Sequence, residues 1–192
     1  MSRKITIVAF DKFTDVDVYL AWDLFNRVKL VDDSWLVKIV GTEKVHTSVT
    51  GLPLHIHGMI EECATADIVF FASGPGTRKL MRDKEYLSRF TLDPKKQLIC
   101  SMCSGSLILA GLGLLNDITA TTYPTAIEEL KSFGVTIEEK PLVVHGNIAT
   151  AAGCLAAIDL VGWAIERTLN TLAKDEVIAS VQPVGKGLEC IY

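Results

Sequence analysis

The chain has 192 residues, 19 basic against 23 acidic for a net charge of −4, with 49% hydrophobic and 22% charged residues. That length supports one core-bearing domain spanning residues 1–192, and the composition excludes disordered, collagen-like and coiled-coil classes. The basic residues are scattered rather than gathered into a stripe, so no nucleic-acid partner is expected. The apolar stretch from Ile148 to Ile165 is broken by Asp159, and nothing approaches the roughly 18 uninterrupted apolar residues of a membrane span. Met1-Ser-Arg-Lys leads into an apolar run, Ile5 to Phe10, too short for a signal-peptide core, so a cytoplasmic location is expected. Cys63, Cys100, Cys103, Cys154 and Cys190 make an odd set, which predicts free thiols rather than a disulfide framework.

In chain order, short β-branched runs alternate with helical patterns, the signature of a parallel sheet covered on both faces. Ile5 to Phe10 reads as a buried strand, and Asp15 to Lys29 as a crossover helix with Val18, Ala21, Trp22, Phe25 and Val28 on its apolar face. Trp35 to Val40 is a second strand. Val45 to Val49 and Leu52 to His57 flank Thr50-Gly51 and predict an edge β-hairpin. Asp67 to Ser73 is a continuous apolar strand running through Gly74-Pro75-Gly76 into a predicted helix of about 14 residues. Gln97 to Ser101 passes with almost no loop into a helix over Cys103 to Ala110. Further elements are predicted at Ile118 to Thr122, Thr125 to Phe133, around His145-Gly146-Asn147, over Gly153 to Leu169, and over Lys174 to Val181.

A strand that turns straight into a helix holds its turn residue in a cramped conformation above the carboxyl edge of the sheet, as in a nucleophile elbow. Cys103 occupies that position, followed by the small residues Ser104, Gly105 and Ser106. Unpaired amides at the helix start favour an anion, so a readily ionised, reactive thiolate is expected. Ser73-Gly74 ends its strand at the same edge, and the amides of Gly74 and Ser104 are candidates to hold a developing oxyanion. Asp15 and Asp17 follow the first strand and approach that edge as well.

These segments together resemble the ThiJ/PfpI superfamily (the DJ-one group, with a class I glutamine amidotransferase-like fold). The likeness runs from Ile5–Phe10 through Asp17, Ser73-Gly74, Ser101-Met-Cys-Ser-Gly105 and Ala120-Thr-Thr122 to Thr150-Ala-Ala-Gly153. The run that begins Cys103-Ser-Gly-Ser-Leu-Ile-Leu-Ala-Gly-Leu-Gly-Leu-Leu, with Ala-Thr-Thr after it, is similar to the isocyanide hydratase-like branch. The resemblance implies a flavodoxin-like three-layer α/β/α sandwich, a mostly parallel sheet, the nucleophile at Cys103, an acid at Asp17 in preference to Asp15, and a homodimer. It also implies a small-molecule substrate and a lyase or hydratase working without cofactor or metal. Where several members carry a histidine after the nucleophile helix, Tyr123 stands here, followed by Pro124. A peptidase-type Cys–His dyad is thereby disfavoured, because a neutral phenol does not accept the thiol proton as imidazole does. Tyr123 and Cys154 are taken as substrate-binding candidates.

A carboxylate beside a thiolate raises both pKa values, so a reactive Cys103 requires a protonated Asp17. Two other functional classes compete: a ligand-binding module like the sensory half of AraC-type regulators, and a redox or stress sensor in which Cys103 is oxidised. Cys100-Ser-Met-Cys103 is formally C-x-x-C, but three extended residues place the two cysteines ~10 Å apart along the chain, beyond the ~7 Å limit for a disulfide. His55 and His57 have no second metal-ligand pair, and His145 reads as a turn residue.

Overall fold

The computed structural model describes residues 2–182 and residue 184, so Cys190 lies outside the described residues. From the N-terminus it contains β1 (Arg3–Val8), α1 (Asp15–Arg27), β2 (Trp35–Gly41), β3 (Val45–Thr47), β4 (Pro53–His55), β5 (Gly58–Met59) and β6 (Ile68–Phe71). There follow α2 (Thr77–Leu80), α3 (Lys84–Ser88), β7 (Leu98–Met102), α4 (Ser106–Gly111), β8 (Thr119–Ala120), α5 (Ile127–Lys131) and β9 (Thr136–Ile137). β10 (Leu142–His145), β11 (Ile148–Ala151), α6 (Ala157–Thr168) and α7 (Thr171–Ala179) complete it.

The main sheet runs in the order β10-β11-β7-β6-β1-β2-β5, parallel except where β10 meets β11. β1, β6 and β7 lie at its centre, and their apolar runs are buried on both faces, as a sheet covered by helices requires. One helical layer is α1, α6 and α7 in mutual contact, and the other is α4 against α2 and α5. This is the expected three-layer α/β/α sandwich. Phe25 of α1 stacks on Trp35 at 6.3 Å and meets Phe70 edge-on at 6.1 Å, which fixes the first crossover helix on the sheet.

Two local expectations change. The hairpin over residues 45–57 forms, with Val45 opposite His55, but as its own two-stranded sheet; the hairpin at the edge of the main sheet is β10–β11. Asp11 explains the detachment, since its carboxylate accepts from the Thr47 amide at 2.9 Å while Lys12 N donates to Thr47 O at 2.7 Å, tying the hairpin to the loop after β1. The long helix expected after Gly76 is divided into α2 and α3. Asp83 restarts it by accepting from Tyr86 N at 3.1 Å as an N-cap, and the intervening Met81 carbonyl packs where a Cβ on Gly111 would lie, 2.3 Å away.

The carboxyl ends of β1, β6 and β7 meet at one point, and glycine makes the meeting close. At Gly105 an added Cβ would stand 2.7 Å from the carbonyl oxygens of both Phe71 and Ala72, so the helix after Cys103 lies directly on the end of β6. Gly74 has φ +144 and its missing Cβ would be 2.2 Å from Lys12 O, which lets the β6 loop touch the β1 loop.

Gly105→Ala is therefore expected to lower stability by about 2–3 kcal/mol in chemical denaturation. Gly153→Ala, at φ −117 and with no atom within 4 Å of the added Cβ, should stay within about 0.5 kcal/mol. Equal effects at the two positions would rule out the close approach as the reason for Gly105.

Candidate active site

Cys103 begins a single 3-10 turn, Cys103–Gly105, directly after β7, and its φ is +53. A non-glycine residue with positive φ is strained and persists only when its surroundings hold it. Here two hydroxyls do so: Thr122 Oγ1 donates to Cys103 O at 3.0 Å, and Ser106 Oγ lies 3.2 Å from the same oxygen and 2.8 Å from Thr122 Oγ1. All three residues are buried, and the thiol-bearing residue is 6% exposed.

Asp17 reaches the sulfur from the first turn of α1, and it is completely buried. Thr14 N donates to Ser73 O at 2.8 Å, which fixes the start of α1 against the end of β6 and so sets the carboxyl in place. Ser73 Oγ donates to Asp17 Oδ2, while Asp17 Oδ1 has no hydrogen-bond partner among the described residues. Asp15, two residues away, has a different role, accepting from Thr50 Oγ1 at 3.0 Å and bracing the detached hairpin.

A carboxyl oxygen of Asp17 and the sulfurs of Cys103 and Cys154 all lie within 4.8 Å of one another. Cys154 enters from the 3-10 turn Cys154–Ala156 that precedes α6 and is half-buried. Two thiols and a carboxyl could hold a thiophilic cation, but that would need both thiols deprotonated and a fourth donor.

Burial pushes the Asp17 carboxyl above its ordinary value, against the opposing pull of the Cys154 thiol and the Ser73 hydroxyl beside it. Burial likewise pushes the Cys103 thiol up. The Ser73 hydroxyl pulls it down, a charged Asp17 pushes it up again, and the Ser104 amide and the Cys154 thiol pull it down. The expected ease of ionisation at a helix start is therefore corrected: removal from water outweighs the amide. Cys154 is pushed up to about 12, first by burial and then by Asp17. Two groups that both resist carrying charge next to each other favour the state in which one proton stays on the pair.

The oxyanion candidates are arranged differently from the expectation. Ser104 presents its amide to the sulfur, but its hydroxyl accepts the Gly74 amide at 3.2 Å and lies 3.1 Å from Thr77 Oγ1. Gly74 is buried and its amide engaged, so it acts on the site through Ser104 rather than as a free donor. Tyr123 is 41% exposed at the start of a 3-10 turn, and none of the described hydrogen bonds ties its hydroxyl to the site. The remaining sequence candidates lie elsewhere. Cys100 is fully buried with its thiol pushed up by burial, His57 Nδ1 accepts from Ile39 N at 3.1 Å, and His145 Nε2 lies 2.7 Å from Thr119 Oγ1.

Ser73, Ser106 and Thr122 carry functional contacts that spacing did not assign. Ser73-Gly74 and Ala-Thr-Thr mark the segments, but nothing in them says that the hydroxyls reach residues far away in sequence. An apolar cleft of about 530 Å³ lined by Thr121, Thr122, Ile137, Pro141, Ala152 and Gly153 flanks the site. Neither it nor a larger one of about 620 Å³, lined by residues such as Phe10, His46, Lys79 and Arg89, is lined by Cys103 or Asp17.

A strained cysteine thus stands where β7 passes into the following helix of an α/β sandwich, with a buried acid from the first crossover helix beside it. The chain belongs to the DJ-1/PfpI family, whose model matches residues 3–167. It is 32% identical over 161 residues to the isonitrile hydratase of Pseudomonas putida, an alignment covering 83% of this chain and 69% of that protein. Among solved structures it is similar to a ThiJ/PfpI family protein from Pseudomonas syringae, with TM-score 0.84, 23% identity, and coverage of 95% of this chain and 76% of that one. Schizosaccharomyces pombe DJ-1 shares the fold with TM-score 0.79 and 18% identity over 93% of this chain and 98% of that one. No helix among the described residues is long and apolar enough to cross a membrane.

The raised Asp17 carboxyl has a consequence for stability. Between the ordinary carboxylate range and the folded value, the folded state holds a proton that the unfolded chain has released, so stability falls as pH rises through that window and stays lower above it. Asp17→Asn cannot ionise, and its melting temperature relative to the wild type should climb from pH 4 to pH 8. A difference that stays flat across that range would show that Asp17 carries no such ionisation cost.

Proposed function

We propose that this chain is a cofactor-free hydratase or related lyase that uses Cys103 as a nucleophile on a small electrophile of the isocyanide class. The observation that carries the reading is the buried Asp17 carboxyl within 4.8 Å of the Cys103 sulfur at a positive-φ elbow. The sequence likeness to an isonitrile hydratase supports the choice of substrate.

An isocyanide carbon is electrophilic and becomes basic once attacked, so it needs a sulfur nucleophile and a proton. The Cys103 sulfur forms the S–C bond, Asp17 delivers its proton to that carbon, and a thioimidate results. Water then adds to the thioimidate carbon, giving one hydrogen to the nitrogen and the other back to the Asp17 carboxylate; the S–C bond breaks, and the product leaves as an N-substituted formamide with the Cys103 thiolate and the Asp17 acid restored. A carboxyl that is neutral at the working pH serves this cycle, because a charged one would repel the thiolate and hold no proton to give. Ser73 keeps the carboxyl oriented, and the Ser104 amide faces the reacting centre. Gly74 contributes by holding the Ser104 side chain. The apolar cleft that Thr122 and Gly153 line suits the alkyl or aryl group of the substrate.

This reading takes the chain as a single cytoplasmic domain acting as a homodimer. The shared core from Ile5 to Val177 supports the single domain.

The test is turnover of a panel of alkyl and aryl isocyanides, followed as formamide production. Cys103→Ser should abolish turnover, and Asp17→Asn should lower kcat by about 10²- to 10³-fold. No turnover by a folded wild-type protein on any member, with Cys103 still open to alkylation, would overturn the hydratase reading in favour of a binding or sensing role.

A further inference from the structure

Spacing draws attention to Cys100 as a partner for Cys103, yet β7 carries Cys100 into the core, fully buried. The thiol that does reach the nucleophile is Cys154, which follows β11, the strand paired with β7. The two sulfurs lie within 4.8 Å, and a carboxyl oxygen of Asp17 is within the same distance of both. Closing them to a bond of ~2.05 Å asks for a movement of at most about 3 Å. Gly153, just before Cys154, has no atom within 4 Å of where a Cβ would stand, so the backbone has room to move. The hydration cycle makes no covalent use of Cys154.

We infer that Cys154 is a resolving thiol for Cys103, so that a hydroperoxide converts the pair into an intramolecular disulfide that closes the site reversibly. In the first step the Cys103 thiolate attacks one peroxide oxygen and the O–O bond breaks. The departing oxygen takes a proton and leaves as water or an alcohol; Cys103 is oxidised to a sulfenic acid and the peroxide is reduced. In the second step the Cys154 sulfur attacks the Cys103 sulfur, the S–O bond breaks and the S–S bond forms. The hydroxide leaves as water with the proton that Cys154 gives up. Asp17, beside both sulfurs, is the group through which that proton passes. Without a neighbouring thiol the sulfenic acid meets more peroxide and climbs to sulfinic acid, which a thiol reductant does not reverse. Neither step involves an isocyanide, and the measured quantity is the mass of the sulfur adducts, so this inference and the hydratase reading fail separately.

Full-length wild type, Cys154→Ser and Cys103→Ser are treated with hydrogen peroxide, blocked with an alkylating agent, and mapped by mass spectrometry without reduction. Wild type should lose two hydrogens, yield a peptide cross-linked between Cys103 and Cys154, and regain both thiols on adding dithiothreitol. Cys154→Ser should instead gain two oxygens on Cys103 that dithiothreitol does not remove, and Cys103→Ser should form no cross-link. A wild type that gains two oxygens on Cys103 as fast as Cys154→Ser, or a cross-link that maps to any other cysteine, would overturn the inference. Circular dichroism on each variant confirms that it is folded, and the serine replacements keep size and polarity close to the native side chains.

Discussion

The site depends on one constraint: a carboxyl and a thiol held side by side out of water cannot both carry charge. In bulk solvent an aspartate next to a cysteine is an anion next to a neutral group, and nothing special follows. Inside this fold desolvation lifts Asp17 and Cys103 together, and a charged Asp17 lifts Cys103 further. Both groups are thereby held toward their neutral forms. The surrounding structure maintains that pairing.

Maintaining it takes backbone geometry more than side-chain bulk. The carboxyl comes from the first turn of the helix after β1, the orienting hydroxyl from the end of β6, and the sulfur from the end of β7, so three adjacent parallel strands must finish at the same height. Gly74 and Gly105 allow this by removing the Cβ atoms that would collide with Lys12 O, Phe71 O and Ala72 O. The left-handed φ at Cys103 is the remaining strain, and the paired hydroxyls of Thr122 and Ser106 on its carbonyl hold it. Ser104 completes the frame by binding the Gly74 amide, which locks the β6 loop to the elbow.

Much of this could be read in the sequence, and the parts that could not share a physical reason. Apolar runs such as Asp67 to Ala72 and the helical spacing of Val18, Ala21 and Phe25 report burial directly, so strands and helices emerged close to their true bounds. The elbow at Cys103 was visible because a strand meets a helix there with no loop between. Resemblance, not spacing, preferred Asp17 over Asp15, and the structure gives the two distinct partners, Ser73 and Thr50. The hydroxyl of Ser73, the clamp of Thr122 and the approach of Cys154 were hidden because each is a polar contact between residues far apart in the chain. Hydrophobic periodicity carries no information about such contacts. The same blindness made the Gly74 amide look free: the hydroxyl that occupies it belongs to a residue thirty positions on. The split between α2 and α3 was missed for a related reason, since the break is set by the packing of Met81 against Gly111.

Asp17 also shows how function and stability oppose each other here. A buried acid with one oxygen unpartnered is a poor choice for holding a protein together, since the unmet hydrogen bond and the desolvated charge both favour unfolding. The remainder of the structure offsets that cost through the continuous core around β1, β6 and β7. A carboxyl fully satisfied by neighbouring donors would hold its charge, whereas Asp17, which accepts from Ser73 and stands within 4.8 Å of the two sulfurs, is held toward its neutral form by burial. Cys154 extends that economy, because the same open carboxyl that serves one sulfur lies within reach of a second. The arrangement therefore places two thiols beside one buried carboxyl.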